Sequence, residues 1–484
     1  MDREREIEIE PKHVVVLGGG ISGLSAAFYV QKFFLEKRLP VKITLVEQSP
    51  VLGGKINTIQ QEGFIMETGP DSFLGRKPSI IELTRKLNLE EQLVGTNPQA
   101  KKTFILHKDQ LHPIPPGLIL GIPTEIAPFM KTKLLTYQGK ARAALDLILP
   151  RRKGTSDESL GGFLDRRLGR EIVERIAEPL LAGIYAGETH GLSLQATFPQ
   201  FQLAEQKHRS LILGMLANKK INVETNLQLP PTARNSLFLS YRNGLNTLVD
   251  ALIDALDEEN VSLKTSLTVE GLDHKSGKME VKLSNDVVLL ADGVIVALPT
   301  YAAAKLLPQI SEIGHLKDIP YISVANVLLT FDKQEIGHPL NGSGFVVPRT
   351  EGKFITACTW TSSKWSHTAP TGKVLLRCYI GRSGDEQWIQ LSDRELINRV
   401  LADLKQIMGI TAEPMFKMVN RWHRSMPQYP VGHLNNLIKV RSELSQRMPN
   451  VQLTGSGYEG VGLPDCIRQA KDAARLLLSG LQLP

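Results

Sequence analysis

Gly18, Gly20 and Gly23 stand in a G-x-G-x-x-G spacing, with Gly19, Ile21 and Ser22 filling the gaps. The chemistry of that spacing is phosphate binding. The first glycine permits a tight turn, the second lets backbone approach a pyrophosphate, and the third lets a helix pack close on a strand. The start of that helix also offers free N–H groups and a partial positive charge to the same phosphate. About two dozen residues past Gly23, Glu47 occupies the place where an acidic side chain accepts hydrogen bonds from an adenosine ribose. Gly53 and Gly54 let backbone lie against a ligand, and Lys55 adds a cation beside them. Gly69 and Pro70 then fix an unusual turn that leads into Asp71 and Ser72.

These residues need elements to position them. Residues 14–17 are apolar and read as a buried parallel strand, followed by the glycine turn and an apolar helix; residues 41–46 read as a second strand ending at Glu47. Residues 63–73 read as a strand that ends in the Gly69–Pro70 turn. From about 80 to 215 the period becomes helical, with charged faces and interruptions by glycine, proline and basic clusters. A polar gap over 218–234, broken by Pro230-Pro231, reads as an exposed connection. A helix over 246–256 and strand-like runs at 261–267, 279–283 and 287–296 return the chain to the nucleotide-binding sheet. Residues 300–420 are richer in β-type runs, with one helix over 393–408, and predict an antiparallel sheet roofing the bound ligand. The last informative stretch, 451–470, is a short strand, a glycine-rich loop and the start of a helix that ends near Leu478.

Composition narrows the function classes. At 484 residues the chain exceeds one ordinary core, so two or three domains are expected. Hydrophobic content of 42% with 22% charged residues is that of a globular protein. Lys and Arg number 57 against 50 Asp and Glu, and a net +7 over this length is too weak to argue for nucleic acid, of which there is no motif. The N-terminus alternates charges from Asp2 to Glu6 and lacks the apolar core of a signal peptide. The nearest approach to a spanning segment, residues 111–124, is broken by Pro113, Pro115, Pro116 and Pro123. With Lys131 and Lys133 behind it, the apolar stretch 111–130 either packs into the core or lies on a membrane face. Cys358, Cys378 and Cys466 are far apart and lack metal-ligand spacing, so free thiols in a reducing cytoplasm are expected.

The nucleotide turn, the Glu47 strand end, the Gly53-Gly54-Lys55 loop and the turn over 67–72 together resemble the amine-oxidase-like class of FAD-dependent oxidoreductases. That resemblance implies an α/β fold: a Rossmann-like FAD-binding domain of the amine-oxidase type, an antiparallel-sheet substrate domain and an inserted helical domain. The boundaries expected are 1–80, 218–300 and 420–484 for the discontinuous FAD-binding domain, 81–217 for the helical domain and 301–419 for the substrate-binding domain. Backbone N–H groups of Val461, Gly462 and Leu463, at a second helix N-terminus, then suit N1 and O2 of the isoalloxazine, so both chain ends meet at one FAD. Residues 178–187 (EPLLAGIYAG), 205–215 (EQKHRSLILGM), 357–365 (ACTWTSSKW), 421–433 (RWHRSMPQYPVGH) and 459–467 (EGVGLPDCI) narrow the match. The set is similar to the oxygen-dependent porphyrinogen oxidases of haem synthesis over nearly the whole chain. It most resembles the bacterial branch that acts on coproporphyrinogen III, with protoporphyrinogen IX the alternative substrate.

The resemblance implies FAD contacts at Gly18, Gly19, Gly20, Ile21, Ser22, Gly23, Glu47, Gln48, Gly54, Lys55, Gly69, Pro70, Asp71, Ser72, Val269, Trp422, Val461, Gly462 and Leu463. It places Lys77, Gly183 and Ile184 in the substrate cavity. It also implies removal of six electrons in three cycles, with hydride passing from a meso carbon to flavin N5 and oxygen leaving as hydrogen peroxide. Such chemistry needs no catalytic dyad and no metal, so none is expected; of eleven histidines, His423 and His433 are given structural or cavity-lining roles. The partners implied are a tetrapyrrole with propionates and molecular oxygen, with other haem-pathway enzymes and a peripheral membrane contact beside them. Arg76, Lys77, Lys207 and Arg209 are the candidate clamps for the propionates, Lys77 first among them. Ser456 and Gly457 precede Tyr458 where some amine oxidases carry a tethering cysteine, so the FAD is expected to be non-covalent. An aromatic content of 6% is lean for an amine oxidase's aromatic cage, and a carotenoid desaturase would need a longer apolar tunnel. The flavin-free prenyl-protein chaperones of the same fold fit poorly with glycine loops intact at both ends.

Overall fold

The computed structural model describes residues 10–217, 229–275 and 277–481. The charged stretch 1–6 and residues 218–228 of the expected connection lie outside the described residues. A five-stranded parallel sheet runs in the order Val261–Lys264, Val41–Val46, Lys12–Leu17, Gly293–Val296, Val451–Leu453. Parallel sheets are covered on both faces, which is why these strands are continuous apolar runs. Val14 and Val16 point to one face, where the helices Ile21–Glu36 and Leu463–Gly480 pack; Val15 and Leu17 point to the other, against the segment from Ala303 to Ile319 and the helix His433–Arg447. The N-terminal strand is thus central, and the last strand and helix of the chain complete the sheet it starts.

A seven-stranded sheet runs in the order Phe416–Pro427, Tyr321–Asp332, Lys373–Ile380, Ala357–Trp360, Gly344–Val346, Thr103–His107, Gln110–Pro113. All its pairings are antiparallel except that of Gly344–Val346 with Thr103–His107. Val374, Leu376, Cys378 and Ile380 bury one face against the helix Asp393–Met408. That helix opens with a capping box in which Ser392 and Glu395 satisfy each other's backbone N–H groups. The opposite face, carrying Arg377 and Tyr379, looks toward the nucleotide-binding sheet and the helical unit. Helices between Ile126 and His208 gather a separate core around Phe163, Leu164, Ile176 and Phe201.

Three elements differ from the sequence reading. The run 287–296 is two strands, Val288–Ala291 and Gly293–Val296, in two different sheets. Asp292 makes the corner: its carboxylate accepts the His13 N–H at 2.8 Å and faces Lys12 and Lys278. The region 81–217, read as mostly helical, sends Thr103–His107 and Gln110–Pro113 into the seven-stranded sheet, so the proline-rich stretch is edge strand and turn. The strand Phe416–Pro427 straddles the expected boundary at 420 and belongs throughout to the seven-stranded sheet. The cysteines are buried and unbonded; the Cys358 and Cys378 sulfurs face each other across neighbouring strands at 3.6 Å.

The helical unit is pinned by a buried charge. Arg167, fully shielded from solvent, donates to the Asp146 carboxylate and also faces Glu205, while Asp146 accepts from Ser210 and the Ile212 N–H. Removing one member of such a network strands the others without water. Arg167→Met is expected to cost about 3–5 kcal/mol, read as a shift of the denaturant midpoint at unchanged slope.

Candidate functional site

The turn between the first strand and the first helix is built as its spacing demands. Gly18 adopts φ +103°, and a Cβ on Gly23 would fall 1.8 Å from the Gly18 carbonyl oxygen. No side chain fits at Gly23, so helix and turn close on one another. At Gly20 a Cβ would meet nothing nearer than the Gly54 Cα at 3.8 Å, so this position opens onto free space. The helix Ile21–Glu36 has no side-chain cap and no acidic residue in its first turn, which leaves its N–H groups and positive end available for an anion. The second glycine pair lies directly alongside: the Gly53 N–H donates to the Gly19 carbonyl at 2.9 Å, and Gly54 takes φ +61° against the Gly20 backbone.

Glu47 closes the nucleotide end. Its carboxylate accepts the Gly19 N–H at 2.6 Å and the Ser49 N–H at 2.8 Å, which orients it beside the glycine turn. The Leu267 N–H donates to the Glu47 carbonyl, and this brings the start of the strand Val269–Lys275 next to Glu47. Gly18–Gly23, Glu47, Gln48, Gly54, Lys55 and Val269 therefore share one edge of the parallel sheet. Lys55 is crowded by protein on every side and yet keeps an accessible side chain, so it borders an interior hollow. Burial lowers its pKa, and its ammonium donates to the Ser425 carbonyl.

The turn Gly69, Pro70, Asp71, Ser72 is fixed from two sides. A Cβ on Gly69 would fall 1.7 Å from the Lys55 carbonyl oxygen, so the turn rests on the Lys55 backbone. From the seven-stranded sheet, Asn326 and Trp422 donate to the Thr68 carbonyl at 2.7 and 2.8 Å, and Arg377 donates to the carbonyls of Thr68 and Gly69. Burial opposes ionisation of Asp71, but Lys364, 2.9 Å away, and Arg377 outweigh it and hold the carboxyl well below its usual range. Glu67, four residues earlier, goes the other way. Burial raises it to about 7, against the Leu245 N–H at 2.7 Å and the Thr58 hydroxyl, which favour its anion.

The C-terminal loop completes the ring of elements. Cys466 lies between Ser22 and Lys55 and joins the two helix N-termini; burial raises its thiol to about 11, so it stays neutral. The Gly460 N–H donates to the Tyr429 hydroxyl at 3.0 Å, and that hydroxyl donates to the Ser456 carbonyl. Val461, Gly462 and Leu463 follow at the start of the uncapped helix Leu463–Gly480. His433 is stacked on Tyr429 at 4.5 Å between ring centres and bonds the Tyr458 carbonyl at 2.6 Å, while burial lowers its pKa. It is a structural histidine; His423 is exposed.

The candidate substrate residues are spread more widely. Lys77 binds both oxygens of Asp465, at 2.6 and 2.7 Å, and so grips the C-terminal helix. Gly183 and Ile184 are exposed on the helix Glu178–Tyr185, whose end is held by Gln428 donating to the Tyr185 carbonyl at 2.6 Å. Arg209 donates to the Leu147 carbonyl within the helical unit, and Arg76 and Lys207 are exposed. Asn326, Arg377 and Lys364 escaped the sequence reading. For Asn326 and Arg377 the signal was an amide and a guanidinium inside otherwise apolar strands, Tyr321–Asp332 and Lys373–Ile380; Lys364, at the end of a short helix, gave none. Among the described residues no three His, Cys, Asp or Glu side chains converge as metal ligands.

The glycine cradle, the free helix N-terminus, Glu47 at the ribose position and the bordered hollow fit a dinucleotide of FAD type. The profile of the family described as flavin containing amine oxidoreductase matches residues 21–478. The coproporphyrinogen III oxidase of Bacillus subtilis is 49% identical over 462 residues, covering 96% of this chain and 97% of that protein. The protoporphyrinogen oxidase of Bos taurus is 32% identical, covering 96% and 98%. A protein of Exiguobacterium sp. 255-15, solved by crystallography, superposes with a TM-score of 0.86 at 36% identity, covering 98% of this chain and 100% of that one.

Glu67 makes the site's stability depend on pH. Its folded pKa, about 7, exceeds the ordinary 4.5, so the folded chain binds the extra proton. The contribution is complete below pH 4.5 and is lost as pH rises through 7. Thermal denaturation of wild type and Glu67→Gln at pH 5.5 and 8.5 is expected to show the wild type losing ground to the variant at the higher pH.

Proposed function

The chain belongs to the flavin containing amine oxidoreductase family, and from that premise we propose that it oxidises coproporphyrinogen III to coproporphyrin III in haem biosynthesis. Six electrons leave the macrocycle, and three molecules of oxygen are reduced to three of hydrogen peroxide. The observation that carries this reading is the full-length likeness to the coproporphyrinogen III oxidase of Bacillus subtilis at 49% identity. The weaker likeness to a protoporphyrinogen oxidase makes protoporphyrinogen IX the alternative substrate.

Bound FAD supplies the two-electron acceptor for each oxidation. The protein holds and encloses. The N–H groups of Ile21, Ser22 and Gly23 would receive the pyrophosphate of FAD, Glu47 the ribose, and the Val269 backbone the adenine. Val461, Gly462 and Leu463 would offer N–H groups to the flavin, and Lys55, Trp422 and the Gly69–Ser72 turn would hold it from the other side. The seven-stranded sheet and the helix Glu178–Tyr185 wall the cleft in which the macrocycle lies, with Gly183 and Ile184 on its helical side. Lys77 contributes by fixing Asp465 and the loop before it.

No helix among the described residues is long and apolar enough to cross a membrane. The helical unit nonetheless exposes Ile126, Met130, Tyr137 and Ile148, which are 78, 49, 85 and 69% accessible, beside Lys131 and Lys133. Apolar side chains among cations suit the surface of an anionic bilayer, and we read this face as a peripheral membrane contact. Sedimentation with phosphatidylglycerol vesicles is expected to carry the protein down, and Ile126→Glu with Ile148→Glu to abolish it.

The main test compares initial rates of porphyrin fluorescence growth in air with coproporphyrinogen III and protoporphyrinogen IX, the autoxidation blank subtracted. Faster turnover of the four-propionate substrate is expected. A clear preference for protoporphyrinogen IX would replace the substrate, and no rate above blank from yellow protein would overturn the reading.

A further inference from the structure

One cation in the cleft wall has no acceptor. Arg382 follows the strand Lys373–Ile380, half-buried, and among the described residues its guanidinium forms no hydrogen bond or ion pair. Arg349 stands beside it, already committed: its Nε donates to the Glu178 carboxylate at 3.0 Å and an Nη to the Ser383 carbonyl at 2.8 Å. The two arginines, Glu178, Ala182, Gly187 and Val347 line one hollow where the strand ends of the seven-stranded sheet meet the helix Glu178–Tyr185.

The walls of this hollow are rigid. Gly187 packs against the Gln428 amide oxygen, 1.7 Å from where a Cβ would stand, so a side chain there would displace the amide that holds the Tyr185 carbonyl. Ala186 is held at φ +53°, where its carbonyl accepts the Ser383 N–H at 2.9 Å and ties the helix end to the residue after Arg382. Glu178 is already engaged by Arg349, and Asp385, three residues past Arg382, carries the other nearby carboxylate, which does not bond the guanidinium. Burial, then the neighbouring Arg349, push the Arg382 guanidinium below its ordinary pKa, with Asp385 and Glu178 opposing only in part. A desolvated cation without a partner is costly unless a ligand supplies one.

We propose that Arg382, oriented beside the Arg349–Glu178 pair, is a carboxylate-binding residue that receives one propionate of the tetrapyrrole at the far end of the cleft. This rests on the functional reading above and extends it to a named contact. Arg377 grips the turn at Gly69 from a strand that ends at Ile380; Gly381, at φ +95°, then turns the chain so that Arg382 joins Glu178 and Ala182 in the hollow. Glu178 and Ala182, one turn apart on the helix that also carries Gly183 and Ile184, both line the hollow. A planar guanidinium with five donors also matches a carboxylate better than a lysine would.

The test uses the FAD-loaded protein and the variants Arg382→Gln and Arg382→Lys. Coproporphyrin III and its tetramethyl ester, which keeps the ring and removes the charges, are titrated by fluorescence quenching in one detergent; KM and kcat are measured with coproporphyrinogen III. Arg382→Gln is expected to weaken coproporphyrin III binding and raise KM by about tenfold or more. The ester affinity, kcat, flavin content and melting temperature should stay near wild type, and Arg382→Lys should regain part of the loss. Unchanged coproporphyrin III binding in Arg382→Gln, or an equal loss for the ester, overturns the proposal. A wild type that binds coproporphyrin III through Arg382 but oxidises no porphyrinogen would sink the functional reading and leave the subsite standing.

Discussion

The architecture depends on one carbonyl group. The Thr68 oxygen receives Asn326, Trp422 and Arg377, side chains from three neighbouring strands of the seven-stranded sheet. An amide oxygen has two lone pairs, and here charged and neutral donors crowd them. Polar side chains on otherwise apolar strands are tolerated because this acceptor satisfies them; without it the Asn326 amide and the Trp422 N–H would lose their acceptor, and Arg377 would keep only the Gly69 carbonyl. The same turn rests on Lys55, which rests in turn on the glycine pair beside the nucleotide cradle. The distance between the dinucleotide edge and the substrate sheet is therefore set by contacts through backbone, with little freedom for side chains to absorb error.

The two acidic residues flanking this turn show how local surroundings separate like groups. Asp71 and Glu67 are both withdrawn from water, yet Asp71 is ionised beside Lys364 and Arg377, whereas Glu67 meets a backbone N–H and a hydroxyl and titrates near neutrality. Two nearby cations outweigh desolvation in the first case; in the second, neutral donors with the more distant Arg377, opposed by Asp71, do not. The cations thus stay on the side where the turn faces the sheet.

Legibility in the sequence followed the range of the interactions. The nucleotide edge was readable because its constraints are local: Gly18 to Gly23 close on themselves within six residues, and Glu47 ends the adjacent strand. The family fold and the flavin were legible for the same reason. The Thr68 hub was not, because its donors lie some 250–350 residues away in sequence; only a stray asparagine or arginine in an apolar strand hinted at it. Lys77 illustrates a different limit. It was read as a cavity cation, whereas its ammonium meets Asp465, which lies 388 residues on. The corner at Asp292 was hidden because both halves of the run 287–296 are apolar enough to pass as one strand. Strand content within 81–217 was masked by the helical period of its neighbours.

The order of strands in the parallel sheet bears on how the chain is made. The central strand, Lys12–Leu17, is made well before its partner Gly293–Val296 and the edge Val451–Leu453, which come hundreds of residues later. The helix Leu463–Gly480, which covers the first helix, comes later still. During synthesis this apolar strand is therefore without part of its neighbours until those later segments are made, so a chain cut before Val451 retains every glycine motif of the first strand and helix and still has no finished cradle.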